Sequence, residues 1–220
     1  MATTAALERP NGWADLLVAL STCLREPDQQ LADSVRDGTL QDALVEALDS
    51  ARVSDVAIEP PAVRAVGTLT ESYLALFQGM ERPSAPPAES PYKPWFDDRT
   101  GLMGGPPAAE MAQRYGAVGA EFPDAYPADH VALLLEYGSV LLDAGEHEEF
   151  AGYVDAHLDW IPAFRLATAG ATAEAPFHRW AVTLLDDVVA ELRSRLGIDP
   201  VETQSARVMV DRVPDAAPPA

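Results

Sequence analysis

The residues best suited to chemistry fall at one junction and in one charged cluster. The junction runs Tyr126-Pro127-Ala128-Asp129-His130 into an apolar stretch that contains Leu135-Glu136. If the chain is helical from 127 onward, Asp129 and Glu136 share one face, about 10.5 Å apart along the axis. Two carboxylates in an otherwise apolar helix need partners, because unpaired buried charge is costly. They could receive a cationic ligand. Equally, Asp129 could cap the backbone amides of the first turn, and His130 could be a core histidine bonded to a carbonyl. The cluster consists of Asp143, Glu146, His147, Glu148 and Glu149, with His157 further along. A carboxylate/His metal site could be drawn from it, and with His130 a metal-dependent enzyme. The alternative is a solvated helix start whose acids match the helix dipole. No histidine pair has the i, i+3 or i+4 spacing of helical ligands.

Complete catalytic signatures are missing. The glycines between Gly101 and Gly105 lack the lysine and spacing of a phosphate loop. Neither a G-x-S-x-G elbow nor an H-E-x-x-H pair occurs. Cys23 is the single cysteine, so neither an internal disulfide nor a cysteine-based zinc site can form. Its setting between Leu20 and Leu24 is that of a small core residue.

Helical periodicity dominates the elements that must position these residues. Trp13, Leu16, Leu17, Leu20 and Leu24 recur at three- and four-residue steps, predicting a helix over 12–24 with Asn11 as N-cap. Shorter helices are expected at 28–36 and 39–50, split by Gly38. A longer one should start at Pro60-Pro61, carry the stripe Ala62, Val66, Leu69, Tyr73, Leu76 and Phe77, and stop at Gly79. Residues 80–107 hold seven prolines, yet Tyr92, Trp95, Phe96 and Met103 are too apolar for a free linker. They are expected to form a long ordered loop packed on the helices. Helices resume at 107–117, 127–144, 147–157, 158–168 and 175–196. The one from 127 is apolar nearly all round and belongs at the centre. The expected fold is an all-α, single-domain helical bundle over 1–197 with a long proline-rich loop, followed by a flexible tail at 198–220.

Thirty-five acidic against fifteen basic side chains leave a net charge of −20, and Lys93 is the only lysine. Such an acidic, lysine-poor surface predicts adaptation to concentrated salt, where self-repulsion is screened. The same charge excludes nucleic acid as a partner, since no basic stripe exists to displace counterions. Arg193 and Arg195 form the densest basic pair, and a position in the last turns of a helix accounts for them through the dipole. No apolar run reaches membrane-spanning length and the first residues carry no signal-peptide pattern, so a cytoplasmic protein is expected.

Four segments, in order, resemble the TorD/DmsD-like chaperones, also called redox enzyme maturation proteins. Tyr73-Leu74-Ala75-Leu76-Phe77 resembles the family's Y-x-x-L-F before its proline-rich loop. Pro86-Pro87-Ala88-Glu89-Ser90-Pro91-Tyr92 resembles the loop motif, with Ala88 where the family usually carries an aromatic ring. Pro127-Ala128-Asp129-His130-Val131 with Leu135-Glu136 resembles the P-x-D-H…L-E helix start. Phe150, His157-Leu158-Asp159-Trp160-Ile161-Pro162 and Phe164 are similar to a later F…H-L-x-W segment. The likeness spans about residues 13–190.

The resemblance implies an all-α, noncatalytic chaperone without a cofactor of its own. Its partner would be the apo catalytic subunit of a molybdopterin oxidoreductase, with the subunit's twin-arginine leader, held until the cofactor is inserted before export. The client or leader site it implies comprises Leu76, Phe77, Pro87, Glu89, Ser90, Tyr92, Pro127, Asp129, His130 and Glu136. Guanidinium pairs strongly with carboxylate, so Asp129 and Glu136 would meet the leader's arginines beside an apolar groove. The related nitrate-reductase assembly branch, acting on a catalytic subunit without reading a leader, is the alternative within the same class.

Overall fold

Helix follows helix along the chain: α1 (Pro10–Leu24), α2 (Gln29–Asp37), α3 (Thr39–Ala51), α4 (Val66–Phe77), α5 (Gly105–Ala117), α6 (Val131–Asp143), α7 (His147–His157), α8 (Ile161–Gly170), α9 (Pro176–Leu196) and α10 (Thr203–Val210). The structure, a computed structural model, describes residues 7–54, 56–80, 83–93, 103–123, 125–211 and 213. Among them there is no strand, only an isolated antiparallel bridge between Ala88 and His130. The all-α, single-domain expectation holds.

The stripe of α1 is buried as its spacing predicts: Trp13, Leu16, Leu17, Leu20 and Leu24 are all shut from solvent. Each such side chain contributes roughly 1.5–3 kcal/mol of apolar burial. α1 packs between α3 and α6. Gly12 permits the closest approach, since a Cβ there would lie 2.5 Å from the backbone of Ser50. α6 is buried almost all round, from Val131 to Leu142, and forms the centre of the bundle. α8, α9 and α10 make a second packed group.

Several boundaries differ from the sequence reading, four of them with consequences for packing or for the site. α1 starts at Pro10, with Arg9 rather than Asn11 as N-cap. α4 starts at Val66 and not at Pro60-Pro61. Residues 56–65 run outside any helix, and Val56, Ile58 and Val63 use that path to pack on the core. Residues 127–130 precede α6 as a turn, with His130 at φ −65° and ψ 136°. The tail is not loose at 203–210: Ala206 and Val210, one turn apart, give α10 a buried edge against α8. Arg193 lies in the last turn of α9, where the dipole reading puts it, and does more there. It is buried, and its guanidinium donates to the carbonyls of Val154 and Asp199 and pairs with Asp155, fastening the turn after α9.

The proline-rich loop is ordered over 83–93. Its Tyr92 ring stacks on Trp160 at 5.0 Å between centroids. Trp95 and Phe96 lie outside the described residues.

Candidate functional site

The loop and the start of α6 are built as one unit. The Val131 amide donates to the Pro87 carbonyl at 2.8 Å and the Glu89 amide to the Asp129 carbonyl at 3.1 Å. The Ser90 amide donates to Asp129 Oδ2 at 2.7 Å, while the Ser90 hydroxyl accepts from the Gly104 amide at 2.9 Å. A loop of prolines cannot satisfy its polar groups by helix formation, so it borrows partners from the turn at 127–131. Ala88 is fully buried in this pairing, so the residue that replaces the family's ring faces the interior and no surface.

Glu89 anchors the other side. Its carboxylate is buried and meets His157 Nδ1 at 3.0 Å and Lys93 Nζ at 2.8 Å. Lys93 also pairs with Asp159 at 2.7 Å and donates to the Ala156 carbonyl. The only lysine of the chain thus ties the loop to the α7–α8 corner.

Asp129 and Glu136 do not act together. Because 127–130 is a turn, Asp129 is off the α6 face and points at Ser90. It is fully buried, its Oδ1 has no partner among the described residues, and burial raises its pKa above the usual carboxylate value. Glu136 instead faces α1, where it pairs with Arg25 and accepts from the Ser21 hydroxyl at 3.0 Å. The expected carboxylate pair is therefore spent on internal contacts.

His130, not Asp129, caps α6: its Nδ1 accepts from the Ala132 amide at 3.2 Å. Burial, with Arg25 nearby as a lesser cause, holds its imidazole down to about 3, so it is neutral. Its Nε2 lies 3.3 Å from the Tyr73 hydroxyl, and its ring lies 4.5 Å from that of Tyr126.

Beside this unit opens a groove of about 440 Å³, lined by Tyr73, Phe77, Gln78, Gly79, Ser84, Pro86, Pro87, Met103, Ala125, Tyr126, Pro127 and His130. Of the ten residues expected at the site, four line it: Phe77, Pro87, Pro127 and His130. Leu76, Glu89, Ser90, Tyr92 and Asp129 are buried and do not line it. Tyr73 and Tyr126 line it without having been expected there. Sequence places Tyr73 on the core stripe and in the Y-x-x-L-F segment, and Tyr126 in the junction.

The acidic His147 cluster is not gathered into a site. Glu148 and Glu149 stand exposed in the first turn of α7, while His157 is in the core against Glu89. No group of three metal-type ligands occurs among the described residues.

The sequence model of the family described as nitrate reductase delta subunit matches residues 19–168. The chain belongs to that family. The match runs from the third turn of α1 into α8 and includes the loop and the groove. Nitrate reductase delta subunit relatives are maturation chaperones of molybdoenzymes, not catalysts, and a molybdoenzyme catalytic subunit is the partner the family implies. Among solved structures, the chain is similar to a protein described as a redox enzyme maturation protein from Archaeoglobus fulgidus. The two share 19% identity over 79% of this chain and 93% of that one, with a TM-score of 0.49. No curated protein matches the sequence. No helix among the described residues is long and apolar enough to cross a membrane.

Proposed function

We propose that this delta-subunit relative is a cytoplasmic chaperone that holds the apo catalytic subunit of a molybdopterin oxidoreductase, and its twin-arginine leader, until the cofactor is inserted. The groove between the end of α4, the loop at 84–87 and the turn at 125–130 is the observation that carries this reading. Among the described residues it is largely apolar with a few polar groups, framed by buried hydrogen bonds, and built from the segments that carry the family likeness. In this reading Phe77, Pro87, Pro127 and His130 meet the client. Leu76, Glu89, Ser90, Tyr92 and Asp129 hold the groove's walls in place, and Glu136 fixes α6 to α1. Salt adaptation suits the −20 charge, which concentrated salt would screen.

The test is deletion of the gene with measurement of molybdopterin reductases in the cell. A reductase that is cofactor-deficient or degraded while its transcript is unchanged supports the role, as does its catalytic subunit co-purifying with the tagged chain. Full activity and cofactor loading of every such enzyme in the deletion strain would sink it. A client that lacks a leader yet still co-purifies favours the assembly-branch reading.

A further inference from the structure

Of the thirteen residues of α5, only Met111 and Tyr115 are buried, and α5 packs closely along no other helix among the described residues. Its remaining ties are polar and local. The Tyr115 hydroxyl donates to the Ala128 carbonyl at 2.9 Å, within the turn that brings Pro127 and His130 to the groove. At the other end the Gly104 amide donates to the Ser90 hydroxyl, and Met103, one residue earlier, lines the groove. Arg114 pairs with Glu149 of α7 at 3.2 Å. The last tie, Glu110 to His157, is incomplete. His157 Nδ1 faces Glu89 Oε2 at 3.0 Å, and an ionised carboxylate only accepts, so Nδ1 carries a proton. In the neutral ring Nε2 is then a bare lone pair. It is buried and makes no hydrogen bond among the described residues, although Glu110 Oε1 stands 3.4 Å away.

We infer that α5 is a lid at the rim of the groove, latched when His157 Nε2 takes a proton from solvent and Glu110 closes on it. A lone pair facing a carboxylate oxygen gains nothing, whereas a buried charged N–H without an acceptor is costly and draws the half-exposed Glu110 inward. The charged groups around the ring come from every side. Glu89 and Lys93 belong to the loop, Glu110 and Arg114 to α5, Glu149 and Asp155 to α7, Asp159 to the corner before α8, and Arg193 to α9. Asp129 lies behind Glu89, and the Tyr153 ring packs at 5.0 Å. Lys93, Arg114 and Arg193 are each paired with carboxylates of their own, so the place at Nε2 is left to a proton. The Arg114 hydrogen bond, with His157 as a lesser cause, holds the Glu110 carboxyl below the usual carboxylate range. Glu110 is therefore anionic across the range in which histidine changes charge. The latched form binds one more proton, so acid closes the lid and alkali frees it. Freed, α5 releases Met103 and the Ala128 carbonyl at the groove. What the lid regulates rests on the groove being the client site; the latch itself does not.

Hydrogen exchange of the full chain tests this, read as protection factors of the α5 amides at about pH 6 and about pH 8. They are expected to be about tenfold better protected at the lower pH, the worth of one charge-assisted hydrogen bond. The amides of α1 and α6 should not follow, because His130 and His178, buried neutral, weaken the whole fold in acid. Glu110→Gln should leave α5 poorly protected at both pH values and cancel its pH dependence. Nitrogen-15 spectra of the wild-type His157 ring should show protons on both nitrogens at about pH 6 and on one at about pH 8. This arm stands even if Glu110→Gln does not fold. Protection of α5 that is flat or rises toward pH 8, a pH dependence that survives Glu110→Gln, or a His157 ring that keeps one charge throughout each overturns the inference. A catalytic subunit that co-purifies at neither pH, with α5 behaving as expected, removes the chaperone reading and leaves the lid.

Discussion

Glu89 and His157 meet inside the protein, Oε2 to Nδ1 at 3.0 Å, with both side chains almost wholly buried. The other ring nitrogen of His157 faces Glu110 of α5 at 3.4 Å, and Lys93 closes the group from the loop. The buried Glu89 carboxylate therefore joins the proline-rich loop to α7, and the His157 ring it holds faces α5. The groove depends on that loop for Pro86 and Pro87.

Breaking a buried pair by removing one partner leaves the other charge uncompensated and costs about 3–5 kcal/mol. Glu89→Gln is expected to destabilise by an amount in that range. His157→Gln added to Glu89→Gln should cost far less than it does alone, because the partner is already lost. Urea denaturation of the two single variants and the double checks this. Strictly additive losses would show that the two residues act independently.

Stability should fall on the acid side of neutrality. Burial holds His130 down to about 3 and His178 down to about 4, whereas the unfolded chain titrates near 6.5. Both folded values are depressed, so below 6.5 the unfolded state binds more protons and stability drops as pH falls. Each histidine contributes up to about 1.4 kcal/mol per pH unit until its folded value is reached. His178 sits among the rings of Tyr73, Phe77 and Phe177, so His178→Phe keeps an aromatic there and removes one titration. The stability difference between pH 7 and pH 5 should shrink by about 2 kcal/mol in denaturant titrations. An unchanged difference would mean that His178 is solvated.

Salt should stabilise the protein. The chain carries −20, and at about 1 M the screening length falls to about 3 Å, so repulsion between surface carboxylates fades. Melting temperature is expected to rise steadily with sodium chloride into the molar range. A melt indifferent to salt would remove the case for salt adaptation.

What could be read from sequence follows how locally each feature is determined. The stripes of α1 and α6 were legible because apolar spacing along one helix fixes which face is buried. The start of α4 was not: Pro60 and Pro61 permit a helix, but Val56, Ile58 and Val63 reach the core only if the chain runs outside one until 66. α10 was hidden because Ala206 and Val210 are too few to show a period, and α8 supplies their burial. At the site, the motif segments found the right neighbourhood and missed the division of labour. Sequence spacing put Asp129 and Glu136 on one face. The turn at 127–130, set by hydrogen bonds to a loop some forty residues earlier in the chain, separates them. Tyr73 reads as a stripe and motif residue in sequence, and only the fold brings its hydroxyl to His130 at the groove.

That separation changes what Asp129→Asn should do. On the sequence reading, Asp129 contacts a client guanidinium, and losing its charge costs about one to two decades in affinity. In the structure it is buried away from the groove and serves the Ser90 amide, a bond that the asparagine carbonyl can also accept. Affinity for the client's leader peptide or apo catalytic subunit should therefore stay within about threefold of wild type. Stability should respond instead, and with a definite sign. Burial raises the folded pKa of Asp129, with Glu89 nearby as a lesser cause, so its ionised form is disfavoured in the native state. The stability linked to this group is complete below the unfolded carboxylate value and is lost as pH rises through the raised folded value. Asparagine does not titrate, so the variant should gain on wild type as pH climbs from about 4 toward 7. Denaturant titrations at several pH values and calorimetry with the leader peptide or apo catalytic subunit separate the readings. A tenfold loss of affinity with an unchanged pH profile of stability would return Asp129 to the client contact and remove it from the frame of the groove.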